Sequence, residues 1–337
     1  MAHIPDDAPL FRFQDLPEDL ARLVFEAAAH DVDKPNWSCA LVSTTVRSWV
    51  EPILYRRIVI DTPWKMTLLG QTMSHHPAKA PAFFSTHVEQ IYIIIRRDRL
   101  NPSYSDLYSL ELLSACPNIT LLDFDHRTEG GEKPSLKIGQ HAAWRAMHPK
   151  KLYIRDEMFM PSHRHFRVDE NPIFTVLTHL ELKWDVIRNG AVTTWAWDTL
   201  SRLTTLTHLC ISVQPMTDTL VRRIAADHLH TATFHFPPSL IVCVFSVSFW
   251  PWALENARII ASSNGATLHR RVVVAVNRSY YFQELERGDD GLWINQTIWR
   301  WSNGSQEARK DSDDVENFWK RAEDKVATRS SERPLVL

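Results

Sequence analysis

The side chains best placed by type and spacing to hold a metal ion are Asp227, His228, His230 and His235. Imidazole and carboxylate groups are common zinc ligands, and alternation along a strand would bring two of these rings to one side. No second histidine cluster and no cysteine pair has ligand spacing, so we read the group as a helix end entering a strand and expect no metal there. His163 and His165 read the same way. Phosphate cradles need glycines that let backbone N–H groups approach the ligand, yet the chain has 9 glycines and neither G-x-G-x-x-G nor G-x-x-x-x-G-K-[ST]. A G-x-S-x-G nucleophile elbow and an H-E-x-x-H helix are also missing. We therefore expect no catalytic residue and no cofactor, and rank an enzyme hidden in the histidine-rich region as the third reading.

Composition narrows the remaining classes. With 337 residues, 44% hydrophobic and 23% charged, the chain has the composition of an ordinary soluble protein with two or three structural units. A formal net charge of -2 and a pI near 6.8 supply no field for nucleic acid or anionic membrane. Cys39, Cys116, Cys210 and Cys243 are far apart and mostly lie in apolar runs, as small buried hydrophobes do. The opening MAHIPDDAPL has neither a basic start nor an apolar run, so we expect a cytoplasmic and/or nuclear protein. The sequons at Asn36, Asn118, Asn277, Asn295 and Asn303 are then chance matches. The most apolar stretch, Leu240 to Leu254, is too short to span a bilayer and reads as a core strand followed by a helix.

The elements begin with a compact helical stretch from Gln14 to Asp61. Asp15 followed by Glu18 reads as a helix entrance, with Pro17 tolerated in the opening turn. Leu16, Leu20, Leu23, Val24, Ala27 and Ala28 recur at helical spacing, a face that we expect to be buried. Asn36 can cap a short second helix carrying Trp37, Ala40 and Leu41. Ser43 can cap a third, with Val46, Trp49, Val50, Ile53 and Leu54 on one side and a kink or restart at Pro52.

The order Leu16-Pro17-Glu18-x-Leu20, Val24-Phe25, Leu41-Val42-Ser43, Arg47-x-Trp49 and Pro52-x-Leu54-Tyr55-Arg56 resembles the F-box, its ending that of many fungal members. Thr44 and Thr45 stand where the family usually has a basic residue. The resemblance implies a helical trio that binds the Skp-type adaptor of cullin-RING ubiquitin ligases, and hence a substrate receptor for protein degradation. It places Leu16, Pro17, Leu20, Val24, Phe25, Leu41, Val42 and Trp49 at the adaptor. The second reading is a non-enzymatic scaffold whose trio only caps a downstream solenoid.

Downstream, Ile58 to Ile60 reads as a strand and Trp64 to Met73 as a helix. The spacing Leu-x-x-Leu-x-Leu then recurs as Val88/Ile91/Ile93, Ile119/Leu122/Phe124, Leu177/Leu180/Leu182 and Leu206/Leu209/Ile211, with weaker copies Pro149/Leu152/Ile154 and Leu229/Ala232/Phe234. The middle residues lie 31, 30, 28, 29 and 23 positions apart, close to a constant period, which implies stacked units. Helical segments at Tyr104–Ala115, Gln140–Met147, Trp195–Leu203 and Thr217–His228 alternate with them. The order resembles leucine-rich repeats, although Arg96, Arg127, Glu157, Asp185 and Gln214 replace the usual Asn or Cys after the strand. An ordinary parallel α/β domain gives the same alternation.

Two polar segments, Asp125–Ser135 and Pro161–Pro172, read as exposed loops. Among 13 tryptophans, Trp184, Trp195 and Trp197 cluster after one strand, where a recognition rim would lie, although a place in the core is the expected role of any single one. Arg271–Asn277 reads as a strand, the Trp-rich Leu292–Trp301 as part of a terminal cap, and Asp313–Val326 as an amphipathic helix with Val315, Phe318, Trp319, Ala322 and Val326 on one face. We therefore expect an α+β or α/β protein: a flexible N-terminus (1–11), an F-box (12–60), a leucine-rich-repeat-like substrate-binding region (61–302), a capping helix (303–327) and a disordered tail (328–337).

Overall fold

The computed structural model describes residues 16–30, 35–75, 79, 82–93, 102–124, 141–155, 167–185, 196–214, 229–248, 269–277, 292–295 and 312–331. The chain divides into two compact units, Met1–Arg57 and Ile58–Leu337.

The first unit contains helix α1 (Glu18–Ala29), a 3-10 helix (Trp37–Leu41) and helix α2 (Thr44–Arg56). Asn36 Oδ1 accepts from the Ser38 N–H at 3.2 Å and Ser43 Oγ from the Val46 N–H at 3.1 Å, so both expected side-chain caps form. The entrance of α1 differs from expectation. Its capping position is Pro17, which has no side-chain hydrogen bond to offer, and the Pro17 carbonyl accepts from Ala21 at 2.9 Å; Asp15 lies outside the described residues. Helix α2 runs through Pro52 without restarting.

The burial of α1 corrects the sequence reading. Ala21 and Ala29 are its buried residues, and Phe25 between them packs on a core of Ala29, Cys39, Ala40, Val46, Val50 and Leu54, joined by Trp49 and Ile53. Leu20, Leu23, Val24, Ala27 and Ala28 face outward. Ala21, Phe25 and Ala29, four positions apart, form one stripe of α1 and Leu20, Leu23 and Val24 another; Phe25 and Ala29 of the first pack on the core, and the second is left outside. The Arg47 Nε–H donates to the Ala40 carbonyl at 3.1 Å, and Trp37 meets Tyr55 edge-on at 5.1 Å. These contacts tie the 3-10 helix to α2.

The second unit is an α/β layer built on a nine-stranded sheet whose order follows the sequence, β1 to β9. The strands are β1 (Arg57–Ile60), which starts at the unit boundary, β2 (Gln90–Ile93), β3 (Leu121–Phe124), β4 (Lys151–Arg155), β5 (His179–Asp185), β6 (His208–Gln214), β7 (Val242–Ser248), β8 (Val272–Asn277) and β9 (Leu292–Asn295). Each neighbouring pair from β2 to β9 is parallel. Among the described strands the order never reverses, so they form no switch point of the kind where doubly wound sheets bind nucleotides. Helices α3 (Pro63–His75), α4 (Ala82–His87), α5 (Pro102–Ala115), α6 (Ala142–Ala146) and α7 (His230–Thr233) precede β7, with 3-10 turns at Val168–Glu170, Pro172–Phe174 and Trp197–Arg202.

Register explains the repeat. Ile91, Leu122, Leu152, Leu180, Leu209, Cys243 and Val272 align across the sheet, each fully buried, and Ile93, Phe124, Ile154, Leu182, Ile211, Phe245 and Val274 align beside them. Period-2 alternation sends both columns to one face. Helix α6 lies on that face, where Trp144 meets Phe124 edge-on at 6.2 Å.

Several expectations from the sequence are corrected by the fold. The weak triplet Leu229/Ala232/Phe234 is not a strand: His230–Thr233 is helical, and the next strand column belongs to Leu240/Cys243/Phe245, which keeps the same spacing. The helical segment expected at Trp195–Leu203 is present as a 3-10 helix over Trp197–Arg202. Part of the predicted loop Pro161–Pro172 is ordered, with Val168 buried. Leu292–Asn295, from the segment read as part of a terminal cap, forms the last strand of the sheet, and residues 296–301 lie outside the described residues. Helix α8 spans Ser312–Ser331, so Thr328–Ser331 complete a helix and do not start a disordered tail. The loop Asp125–Ser135, the segment Thr217–His228, and Arg96, Arg127, Glu157 and Trp195 lie outside the described residues.

Candidate partner-binding surfaces

Two surfaces stand out, one on each unit. On the first, the residues that the F-box resemblance singles out separate into two sets. Phe25 and Trp49 are half-buried and belong to the core of the trio. Leu20, Val24, Leu41 and Val42 are 47%, 53%, 77% and 59% exposed, Pro17 is exposed, and Leu16 is half-buried. Leu20 and Val24 lie one turn apart on α1, while Leu41 and Val42 end the 3-10 helix. Leu23 (60%) and Trp37 (48%) extend this exposed apolar set. The sequence reading places Leu23 on a buried face; the signal that could have found its exposure is the Ala21/Phe25/Ala29 stripe, which occupies the other side of α1. Moving one exposed Leu or Val into an apolar environment is worth about 1.5–3 kcal/mol, so each of these side chains would gain by being covered.

On the second unit the sheet face opposite the triplet columns is polar at its centre. Tyr92, Asp123, Tyr153, Glu181, Cys210 and Val244 align across it, and Lys151, His179, His208 and Val242 form the neighbouring column. Lys183 Nζ reaches Asp123 Oδ1 at 3.5 Å. Strands about 4.8 Å apart bring identical register positions together, and the His179 and His208 rings stack with centroids 4.1 Å apart and 3° between planes. Helix α8 covers this end of the face. Phe318, Trp319 and Ala322 bury themselves against Cys210, Val242, Val244, Val273 and Ala275, with Val326 alongside. Trp319 lies edge-on to both imidazoles, at 5.4 Å from His179 and 5.0 Å from His208.

The histidines are held by their own threonines. Thr178 Oγ1 and Thr207 Oγ1 lie 2.9 and 2.8 Å from Nδ1 of His179 and His208. The backbone of the same threonines carries the inter-strand ladder: Thr178 N–H donates to the Lys150 carbonyl and Thr207 N–H to the Thr178 carbonyl, each at 2.9 Å. His208 Nε2 then meets Glu323 Oε1 of α8 at 2.7 Å. Burial, followed by the neighbouring His208 ring and the Lys151 ammonium, pulls His179 down to about 3. Burial also lowers His208, against the pull of Glu323. Both rings are therefore neutral near pH 7, with the His208 Nε2–H donating to the carboxylate. Sequence reasoning passed over this pair, yet Leu-Thr-His-Leu at 177–180 recurs 29 residues later at 206–209.

No protein-family model matches this chain, and no curated protein and no solved structure matches it significantly. Of the histidine-rich group at which no metal is expected, Asp227 and His228 lie outside the described residues, His230 is exposed and His235 half-buried. Among the described residues no group of three or more His, Cys, Asp or Glu side chains could hold a metal ion. No helix among them is long and apolar enough to cross a membrane. Trp197 is buried, the role that the sequence favours for any one of Trp184, Trp195 and Trp197.

Proposed function

We propose that this protein is a substrate-recognition subunit of a Skp-cullin-F-box type ubiquitin ligase, intracellular and without catalytic residues of its own. In this reading the helical trio is an F-box that docks on a Skp-type adaptor, and the parallel sheet belongs to an irregular leucine-rich-repeat-like region that carries a protein substrate. The observation that supports it is the exposed set Leu20, Val24, Leu41 and Val42, apolar side chains that the trio's own core leaves uncovered at positions the resemblance assigns to the adaptor. A unit this small buries too little surface to cover them itself. The chemistry is proximity: holding a substrate lysine beside a charged conjugating enzyme raises its effective concentration.

Co-purification with a purified Skp-type adaptor tests the assignment. The parent protein should form a stoichiometric complex and a Leu41→Ser/Val42→Ser variant should not. If the parent binds no adaptor, the non-enzymatic scaffold takes its place.

A further inference from the structure

We infer that α8 is the resident occupant of a helix-binding groove on the sheet face of β5–β8, and that the groove takes a partner segment of the same chemistry: an amphipathic helix with adjacent aromatic residues, then a small residue and an acid one turn further on. This deepens the receptor reading, on which it rests for calling that partner a substrate.

The way α8 is held separates it from the strands of its unit. Each strand from β2 to β9 exchanges backbone hydrogen bonds with its neighbours, so removing one would orphan a row of donors and acceptors. A helix satisfies its backbone internally, and α8 meets the sheet through the side chains of Phe318, Trp319, Ala322, Glu323 and Val326. Its docked apolar stripe, Phe318, Trp319, Ala322 and Val326, has helical spacing. Such a stripe is how an amphipathic helix docks in an apolar groove, with a few anchors one turn apart.

The receiving face is built to read that stripe. Cys210, Val242, Val244, Val273 and Ala275 offer an apolar floor. At its edge the stacked His179 and His208 rings, fixed by Thr178 and Thr207, turn their ring edges to the indole of Trp319, whose plane lies 72° and 70° from theirs. The His208 Nε2–H then selects an acid four residues beyond the tryptophan, the place of Glu323. Apolar floor, aromatic wall and one polar pin together fix both the register and the direction of the bound helix. Helix α8 belongs to the same chain as the sheet, so an incoming helix competes against a high local concentration.

The test uses the full chain and a fluorescent peptide spanning residues 312–331 as the probe. The variant Glu323→Lys changes a side chain that is 42% exposed and so leaves the sheet intact while removing the pin to His208; Phe318→Ala/Trp319→Ala removes the anchors. Both variants should keep a cooperative melt and bind the peptide at least about ten-fold more tightly than the parent, because the competing cis helix is weakened. A peptide carrying Trp319→Ala should not bind either. In the parent, amides of 318–326 should exchange with solvent faster than those of β6 and β7. Failure of both variants to bind the peptide, or protection of α8 equal to that of β6 and β7, would overturn the inference. No adaptor is present in these measurements, so their failure leaves adaptor binding standing, and loss of adaptor binding leaves the groove standing.

Discussion

His208 and Glu323 are 115 positions apart in the chain and share a hydrogen bond of 2.7 Å between Nε2 and Oε1. The bond joins a sheet residue to α8 beside a second, stacked imidazole, and so places two neutral rings under one helix.

That placement makes the second unit sensitive to acid. His179 and His208 have folded pKa values below the ordinary 6.5, His179 at about 3. The unfolded chain takes up protons near pH 6.5 that the folded chain refuses, so stability is full above about 6.5 and is lost as pH falls toward 3. Thermal melts at pH 7, 6, 5 and 4 should show a falling midpoint for the parent and a shallower slope for His179→Gln. Equal slopes would show that these rings do not carry the effect.

The exposed and the core residues of the helical trio should respond oppositely to truncation. Leu16→Ala with Pro17→Ala, like Leu41→Ser/Val42→Ser, should weaken adaptor binding by a few kcal/mol while shifting stability by about 1 kcal/mol or less. Trp49→Ala opens the packed cluster and should cost about 3 kcal/mol of stability. Binding isotherms beside denaturation curves separate the two effects.

Ser43 accepts from the Val46 N–H, so Ser43→Ala should destabilise the first unit by about 1 kcal/mol in denaturant titration. Trp144→Ala, in the second unit, removes a fully buried ring packed on Phe124 and should cost about 3–5 kcal/mol. An unchanged midpoint for Trp144→Ala would contradict its place in the core.

All four cysteines are buried, and burial holds the Cys116 thiol up at about 12 and raises Cys210 and Cys243 too. A thiol reagent at neutral pH should leave native Cys116, Cys210 and Cys243 unlabelled, since the thiolate is the reacting species. Under mild denaturant Cys39 should report opening of the first unit, and Cys116, Cys210 and Cys243 opening of the second. Rapid labelling of native Cys210 would contradict its place under α8.

The strands from β2 to β6 were legible in the sequence because the Leu-x-x-Leu-x-Leu spacing is local: period-2 alternation alone decides that Ile91 and Ile93 share a face. The same rule misled at Leu229/Ala232/Phe234, where the spacing also fits a turn of helix and only pairing with β6 identifies Leu240/Cys243/Phe245 as the column. The caps at Asn36 and Ser43 were legible for the same local reason, since each side chain bonds a backbone group two or three residues away. Which side of α1 is buried was not, because Leu20/Val24 and Ala21/Phe25/Ala29 are both helical stripes, and packing against α2 and the 3-10 helix chooses between them. The His179–His208 stack needed the parallel register of β5 and β6, and the Glu323 contact needed α8 to return to the sheet across more than a hundred residues. Sequence determined what each segment forms, because hydrogen bonds within a turn or strand depend on near neighbours. Tertiary structure decided which faces meet, because burial is shared between segments that the chain keeps far apart.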